Sequence, residues 1–70
     1  MRVTTVQQLS VAISERRKQL GLTQQELAER TGVGRQWINE VERGKPAAQL
    51  YLILDLLDAL GLKVEVSADV

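Results

Sequence analysis

Glycines at 21, 32, 44 and 61 cut this 70-residue chain into short segments, and each of the first four segments carries apolar residues at helical spacing. A glycine just past an apolar-periodic stretch is a helix stop, because the left-handed backbone that closes a helix costs glycine least. The chain is therefore too punctuated for one long helix, and no apolar run approaches the roughly 20 residues of a membrane span. Several short helices around one core remain.

The starts agree with the stops. Thr5-Val-Gln-Gln8 and Thr23-Gln-Gln-Glu26 both have the form of a capping box, which predicts a helix from each threonine. Val6, Leu9, Ile13, Arg17 and Leu20 fall on one stripe of the first helix, with Ala12 and Arg16 beside it. Leu27 and Ala28 are the apolar positions of the second, which Gly32 stops. A third helix is expected from about Gly34 to Glu42, with Ile38 and Val41 facing inward, broken by Gly44-Lys45-Pro46. The fourth runs from about Ala48 to Leu60, with Leu50, Ile53, Leu54, Leu57 and Leu60 as its inner face. Tyr51, Leu52 and Leu56 lie off that face, and a helix apolar nearly all round is buried on more than one side.

The tail changes period. Leu62, Val64, Val66, Ala68 and Val70 alternate with Lys63, Glu65, Ser67 and Asp69, the pattern of a half-buried strand. Arg2-Val3-Thr4 is the only weak candidate for a second strand. The tail is thus either frayed or paired with its own copy in a second subunit. The surplus apolar surface of the fourth helix favours pairing, with Leu52, Leu56, Leu62, Val64 and Val66 as the expected dimer interface.

Composition narrows the chemistry. The chain has no cysteine and no histidine, so it lacks thiolate and imidazole metal ligands and the commonest catalytic bases and nucleophiles. Neither an enzyme nor a metal or other cofactor is expected. A small scaffold without disulfide or metal leaves oligomerisation as its staple. With Trp37 and Tyr51 the only aromatics, the core must be aliphatic. The absence of cysteine and of a signal-peptide pattern fits a cytoplasmic protein without membrane attachment. Net charge is zero, but residues 1–45 carry eight basic against five acidic groups, and residues 46–70 one against four. An excess of three positive charges in one half and three negative in the other hints at an anion-binding half.

Residues 24–43 meet the requirements of a helix-turn-helix: two short helices joined by a tight turn, a small Ala28 at the crossing, Gly32 in the turn, and Leu27, Val33, Ile38 and Val41 locking the pair to the core. Here the sequence resembles the Cro/C1 (Xre-type) helix-turn-helix family. The likeness rests on Leu22-Thr-Gln-Gln-Glu-Leu-Ala28, Thr31-Gly-Val-Gly34, Ile38 and Glu42-Arg-Gly-Lys45, and spans about Glu15 to Gly61.

The resemblance implies a mainly α, four-helix, lambda-repressor-like domain over residues 1–61, with residues 62–70 as a β-strand that pairs across a dimer. It implies that the third helix enters the major groove of double-stranded DNA. Arg35 and Gln36 then stand at its leading end to contact bases, the arginine pairing with guanine and the glutamine with adenine. Asn39 follows one turn on, and Glu40 either accepts from cytosine or turns away. Thr23 and Gln24, at a helix N-terminus, suit phosphate, as do Arg43 and Lys45. Two positions depart from the pattern. Gly34 replaces the usual Ser or Thr cap. Trp37 replaces a small polar residue, and either lies against the DNA backbone, touches a thymine methyl, or folds back as a lid on the core. Arg17 and Glu42 match positions that form a buried ion pair in the family.

Within the family, the C-terminal alternating strand resembles the HipB-type antitoxins, which repress their own operon and bind a HipA-like kinase toxin. The function implied is a sequence-specific repressor of an inverted-repeat operator, acting as an antitoxin. A stand-alone phage-type or metabolic regulator is the alternative.

Overall fold

The computed structural model describes residues 2–45 and 49–68. Pro46, the expected breaker, Ala48, the expected start of the fourth helix, and Asp69 and Val70 of the alternating tail lie outside them. Four helices occur among the described residues: α1 (Val6–Gln19), α2 (Gln24–Thr31), α3 (Arg35–Glu42) and α4 (Leu50–Ala59).

The helix ends follow the side chains that cap them. At α1, the Thr5 hydroxyl accepts from the Gln8 backbone N–H at 3.1 Å. The return arm differs from the expected box: Gln8 Oε1 accepts from the Thr4 backbone N–H at 2.6 Å and from the Thr4 hydroxyl at 3.0 Å. At α2 both arms close on Thr23, whose hydroxyl accepts from Glu26 N–H while its own N–H donates to Glu26 Oε1, both at 3.0 Å. Gly21, Gly32, Gly44 and Gly61 all have positive φ. Gly32, at φ 77° in the turn between α2 and α3, is the one that sets the motif, because an L side chain there would be strained.

The core is aliphatic, as the composition requires. Ile13 of α1, Leu22 of the first turn, Leu27 and Ala28 of α2, Ile38 and Val41 of α3, and Ile53, Leu56, Leu57 and Leu60 at α4 are buried together. Leu9, Val33, Trp37 and Leu62 pack against them. Polar ties from α1 hold the other elements. Ser10 donates from its hydroxyl to the Val41 carbonyl at 2.7 Å, and Arg16 Nε donates to the Leu60 carbonyl at 2.8 Å. Each reaches a carbonyl at the end of a helix; the Val41 carbonyl also accepts from the Gly44 N–H at 3.0 Å.

Two expectations about faces are corrected. On α1 the buried positions are Ser10, Ile13 and Arg17, while Val6 and Leu20 are exposed. On α4 the inner stripe is Ile53, Leu56, Leu57 and Leu60, whereas Leu50 is 71% exposed and Leu54 also faces out. Leu56, expected at a dimer interface, is 1% exposed and is core. Two overlapping stripes of leucine satisfy the same helical period, so the period cannot say which one turns inward. The tail forms no strand among the described residues. A strand needs a ladder partner, and Val64 and Val66 stand exposed on this single chain.

Candidate nucleic-acid interface

The start of α2 and the outer side of α3 form one surface. Gly34 caps α3 in extended backbone with no side-chain hydrogen bond, so the first-turn N–H groups of α3 meet no cap. Arg35 and Gln36, the first two residues of the helix, are exposed. Asn39 and Glu40 follow one turn later, both half-buried. Arg43 and Lys45 are exposed at the far end, where the Lys45 backbone N–H donates to the Glu40 carbonyl at 3.1 Å and closes the helix. Cationic groups thus stand at both ends of α3.

At the α2 start, the Thr23 N–H and hydroxyl are engaged in the capping box. Thr23 therefore has only its hydroxyl proton to offer a phosphate, and the N–H groups of Gln24 and Gln25 are the first-turn donors that remain. The hydrogen bonds from the Thr23 backbone and hydroxyl side hold the Glu26 carboxyl below the usual carboxylate range. Trp37 is half-buried and packs on the core. It covers the core while remaining partly exposed.

Beneath this surface lies the pair that the family pattern implied. Arg17 meets Glu42 through two parallel bonds, Nε to Oε2 at 2.7 Å and Nη2 to Oε1 at 2.9 Å, and its Nη1 donates to the Leu22 carbonyl at 2.8 Å. Burial pushes the Glu42 carboxyl up, but the hydrogen bonds from Arg17 and Gln24 and the Arg17 charge together outweigh it, and the net shift is down. The hydrogen bond to Glu42 raises Arg17. Both groups are charged, and the pair clamps α1 to the end of α3.

A further link was not foreseen. Gln24 Nε2 lies 3.2 Å from Glu42 Oε1 and 3.4 Å from Asn39 Oδ1, so the ion pair continues outward through Gln24 to Asn39. Sequence reasoning placed Gln24 and Asn39 at the interface separately. Ser10 and Arg16 also escaped it; the available signal was a small polar residue and a cation lying within or beside the apolar stripe of α1.

The helix-turn-helix family pattern matches residues 13–66, most of the chain. The chain belongs to the Cro/C1-type helix-turn-helix family. Among relatives, it is 53% identical over 49 residues to an uncharacterised HTH-type transcriptional regulator of Methanothermobacter thermautotrophicus, covering 70% of this chain and 71% of that protein. It is 36% identical over 67 residues to the uncharacterised HTH-type transcriptional regulator y4mF of Sinorhizobium fredii, covering 96% and 88%. Among solved structures, the fold is similar to a chain of a HipA–HipB–O2–O3 complex, with TM-score 0.87, 26% identity, and 99% and 97% of the two chains covered. The same values hold for a HipB–O4 20mer complex. The four-helix fold is thus that of HipB, and this family member is a helix-turn-helix transcription regulator, like its relatives, and not an enzyme.

Proposed function

We propose that this regulator is a homodimeric repressor that reads an inverted-repeat operator with α3 of each subunit, and that it is the antitoxin of an operon whose other product is a HipA-like kinase toxin. The observation that carries the DNA reading is the pair of exposed side chains, Arg35 and Gln36, at the leading end of α3, with Arg43 and Lys45 exposed beyond its other end. A fork of donors and an amide at that place suit guanine and adenine edges, and the flanking cations suit phosphate. Thr23, Gln24 and the exposed part of Trp37 serve the backbone beside them. In the cytoplasm such a dimer would repress the promoter of its own operon.

The dimer is supported by what α4 and the tail leave uncovered. Leu50, Leu54 and Val64 line an open groove with α1, and Val66 is exposed beyond it. Residues 62–70 of two subunits would pair as strands and cover this surface, with residues 1–61 as the DNA-binding domain. The toxin partner is supported by the likeness to HipB within a complex containing HipA.

Binding-site selection followed by anisotropy titration tests the proposal. A selected inverted repeat, with half-sites roughly 34–36 Å apart, should bind at least about a thousandfold more tightly than random duplex. Co-expression with the product of the neighbouring gene, expected to be a HipA-like kinase, should give a stable complex. No enriched sequence would defeat the repressor reading; a neighbouring gene product that does not bind would leave a stand-alone regulator.

A further inference from the structure

We infer that the Arg17–Glu42 ion pair fixes which base Asn39 reads, by setting the direction of two side-chain amides in turn. The inference rests on the reading of α3 as the base-contacting helix and names the specificity of one position within it.

The chain of constraint begins with charge. Glu42 is ionised, because Arg17 donates two hydrogen bonds to its two oxygens at 2.7 and 2.9 Å. An ionised carboxylate only accepts. The end of the Gln24 amide that lies 3.2 Å from Glu42 Oε1 must therefore be the NH2 group. That same NH2 group lies 3.4 Å from the Asn39 side chain. A donor there requires the Asn39 oxygen to face it, which turns the Asn39 NH2 group the other way. Asn39 then meets DNA with its NH2 group foremost, its oxygen held back toward Gln24. An unconstrained asparagine presents donor and acceptor together and pairs bidentately with adenine; a donor alone matches the adjacent O6 and N7 acceptors of guanine. Gln24 and Arg17 act as positioning residues, Asn39 as the reading one.

The polarity assigns a distinct base to the wild-type protein and to each of two variants, which a purely structural role for Gln24 would not do. The position read by Asn39 is the base pair whose preference disappears in Asn39→Ala. At that position the wild-type protein should prefer guanine over adenine by at least about tenfold, the scale of one good base contact. Gln24→Leu removes the donor, frees the Asn39 amide to present both groups, and should move the preference to adenine. Asn39→Asp presents an acceptor instead and should move it to cytosine. Binding-site selection with each purified variant reads all three.

A wild-type preference for adenine at that position, or a Gln24→Leu profile unchanged from wild type, would overturn the inference while leaving operator binding intact. Absence of any enriched sequence for the wild-type protein would overturn the DNA reading and the inference with it. Side-chain amide exchange in the free protein gives a second, DNA-independent check. The Gln24 NH2 protons should exchange several-fold more slowly than those of Asn39, and the reverse order would refute the assigned directions.

Discussion

Arg17 and Glu42 lie 25 residues apart in sequence and meet side-on through two hydrogen bonds, at 2.7 and 2.9 Å. Their side chains are only 11% and 6% exposed. The pair ties the middle of the molecule together: α1 supplies the cation, the last residue of α3 supplies the anion, and Arg17 also donates to the Leu22 carbonyl in the turn before α2. Little water reaches either partner at such a site, so each group depends on the other.

Removing one partner should therefore be costly. Glu42→Ala leaves the guanidinium of Arg17 nearly buried with one carbonyl, and should lower unfolding free energy by about 3–5 kcal/mol. That is a large share of the roughly 4–10 kcal/mol expected for a domain of this size. Replacing both, as Arg17→Met with Glu42→Leu, should recover most of the loss, since no charge is stranded. Urea unfolding of the three proteins measures this; a double variant as unstable as the single one would show that geometry at Leu22, not charge burial, dominates.

The same pair makes stability depend on acid. The folded Glu42 carboxyl titrates below its ordinary value. A depressed carboxyl contributes stability above the unfolded pKa, about 4.3, and that contribution is lost as pH falls through the folded one. Glu26, held down by Thr23, has the same sign. Unfolding free energy should thus be flat near neutrality and fall below about pH 4.5. Glu26→Gln should leave most of the slope in place, whereas Glu42→Gln, already destabilised at neutral pH, should flatten it. Parallel acid slopes for wild type and Glu42→Gln would contradict the assignment.

Much of this architecture was legible because it is written in local chemistry. The Thr23–Glu26 box and the stops at Gly32 and Gly44 each act within four or five residues of chain, so the sequence carries them directly. The failures are equally specific. Leucines on α4 offered two inward stripes, and only packing against Ile13, Leu27 and Ile38 selects the one containing Leu56. Gln8 reached Thr4 instead of Thr5, a choice of one residue that no periodicity encodes. The Gln24–Asn39 link joins separate helices, and nothing in either segment alone announces it. The tail alternates as a strand does, but it finds no ladder partner among the described residues.

The glycines at the two ends of the α2–α3 turn should respond oppositely to substitution. At Gly32, φ is 77° and an added Cβ meets nothing within 4 Å. The cost of Gly32→Ala is then purely conformational, about 1–2 kcal/mol. At Gly34 the backbone is ordinary, φ −74° and ψ 146°, with equally open space. Gly34→Ser places an acceptor at the start of α3 and should stabilise by a few tenths of a kcal/mol. Thermal unfolding should move down for the first and slightly up for the second; a destabilised Gly34→Ser would mean that the cap oxygen does not reach the α3 N–H groups.

Arg35 and Lys45 should divide the DNA-binding free energy by kind. Arg35 stands at the leading end of α3, and Arg35→Ala should cost about 1–3 kcal/mol on the selected operator and relax preference at one base pair. Lys45 lies past the helix end, beside Arg43. Lys45→Ala should weaken selected and random duplexes alike and reduce the slope of log affinity against log salt by about 0.9 for the phosphate lost. Anisotropy titrations at several salt concentrations separate the two. Equal weakening of all sequences by Arg35→Ala would make Arg35 a backbone contact instead.

The uncovered surface of α4 and the tail should govern assembly. Leu50 and Leu54 face out along the groove that Val64 also lines, and Val66 is 95% exposed. A second copy that pairs its tail here would remove all four from water. A fully buried aliphatic side chain is worth about 1.5–3 kcal/mol, so a charge at one such position should break a modest interface. Val64→Asp or Leu54→Asp should therefore shift sedimentation from dimer to monomer at micromolar concentration. Neither residue belongs to the buried core, so the unfolding midpoint of the monomer should hold. Operator affinity should fall with the dimer, because two copies of α3 bind an inverted repeat together only while the subunits are joined. A Leu54→Asp protein that still sediments as a dimer would place the interface elsewhere on the molecule.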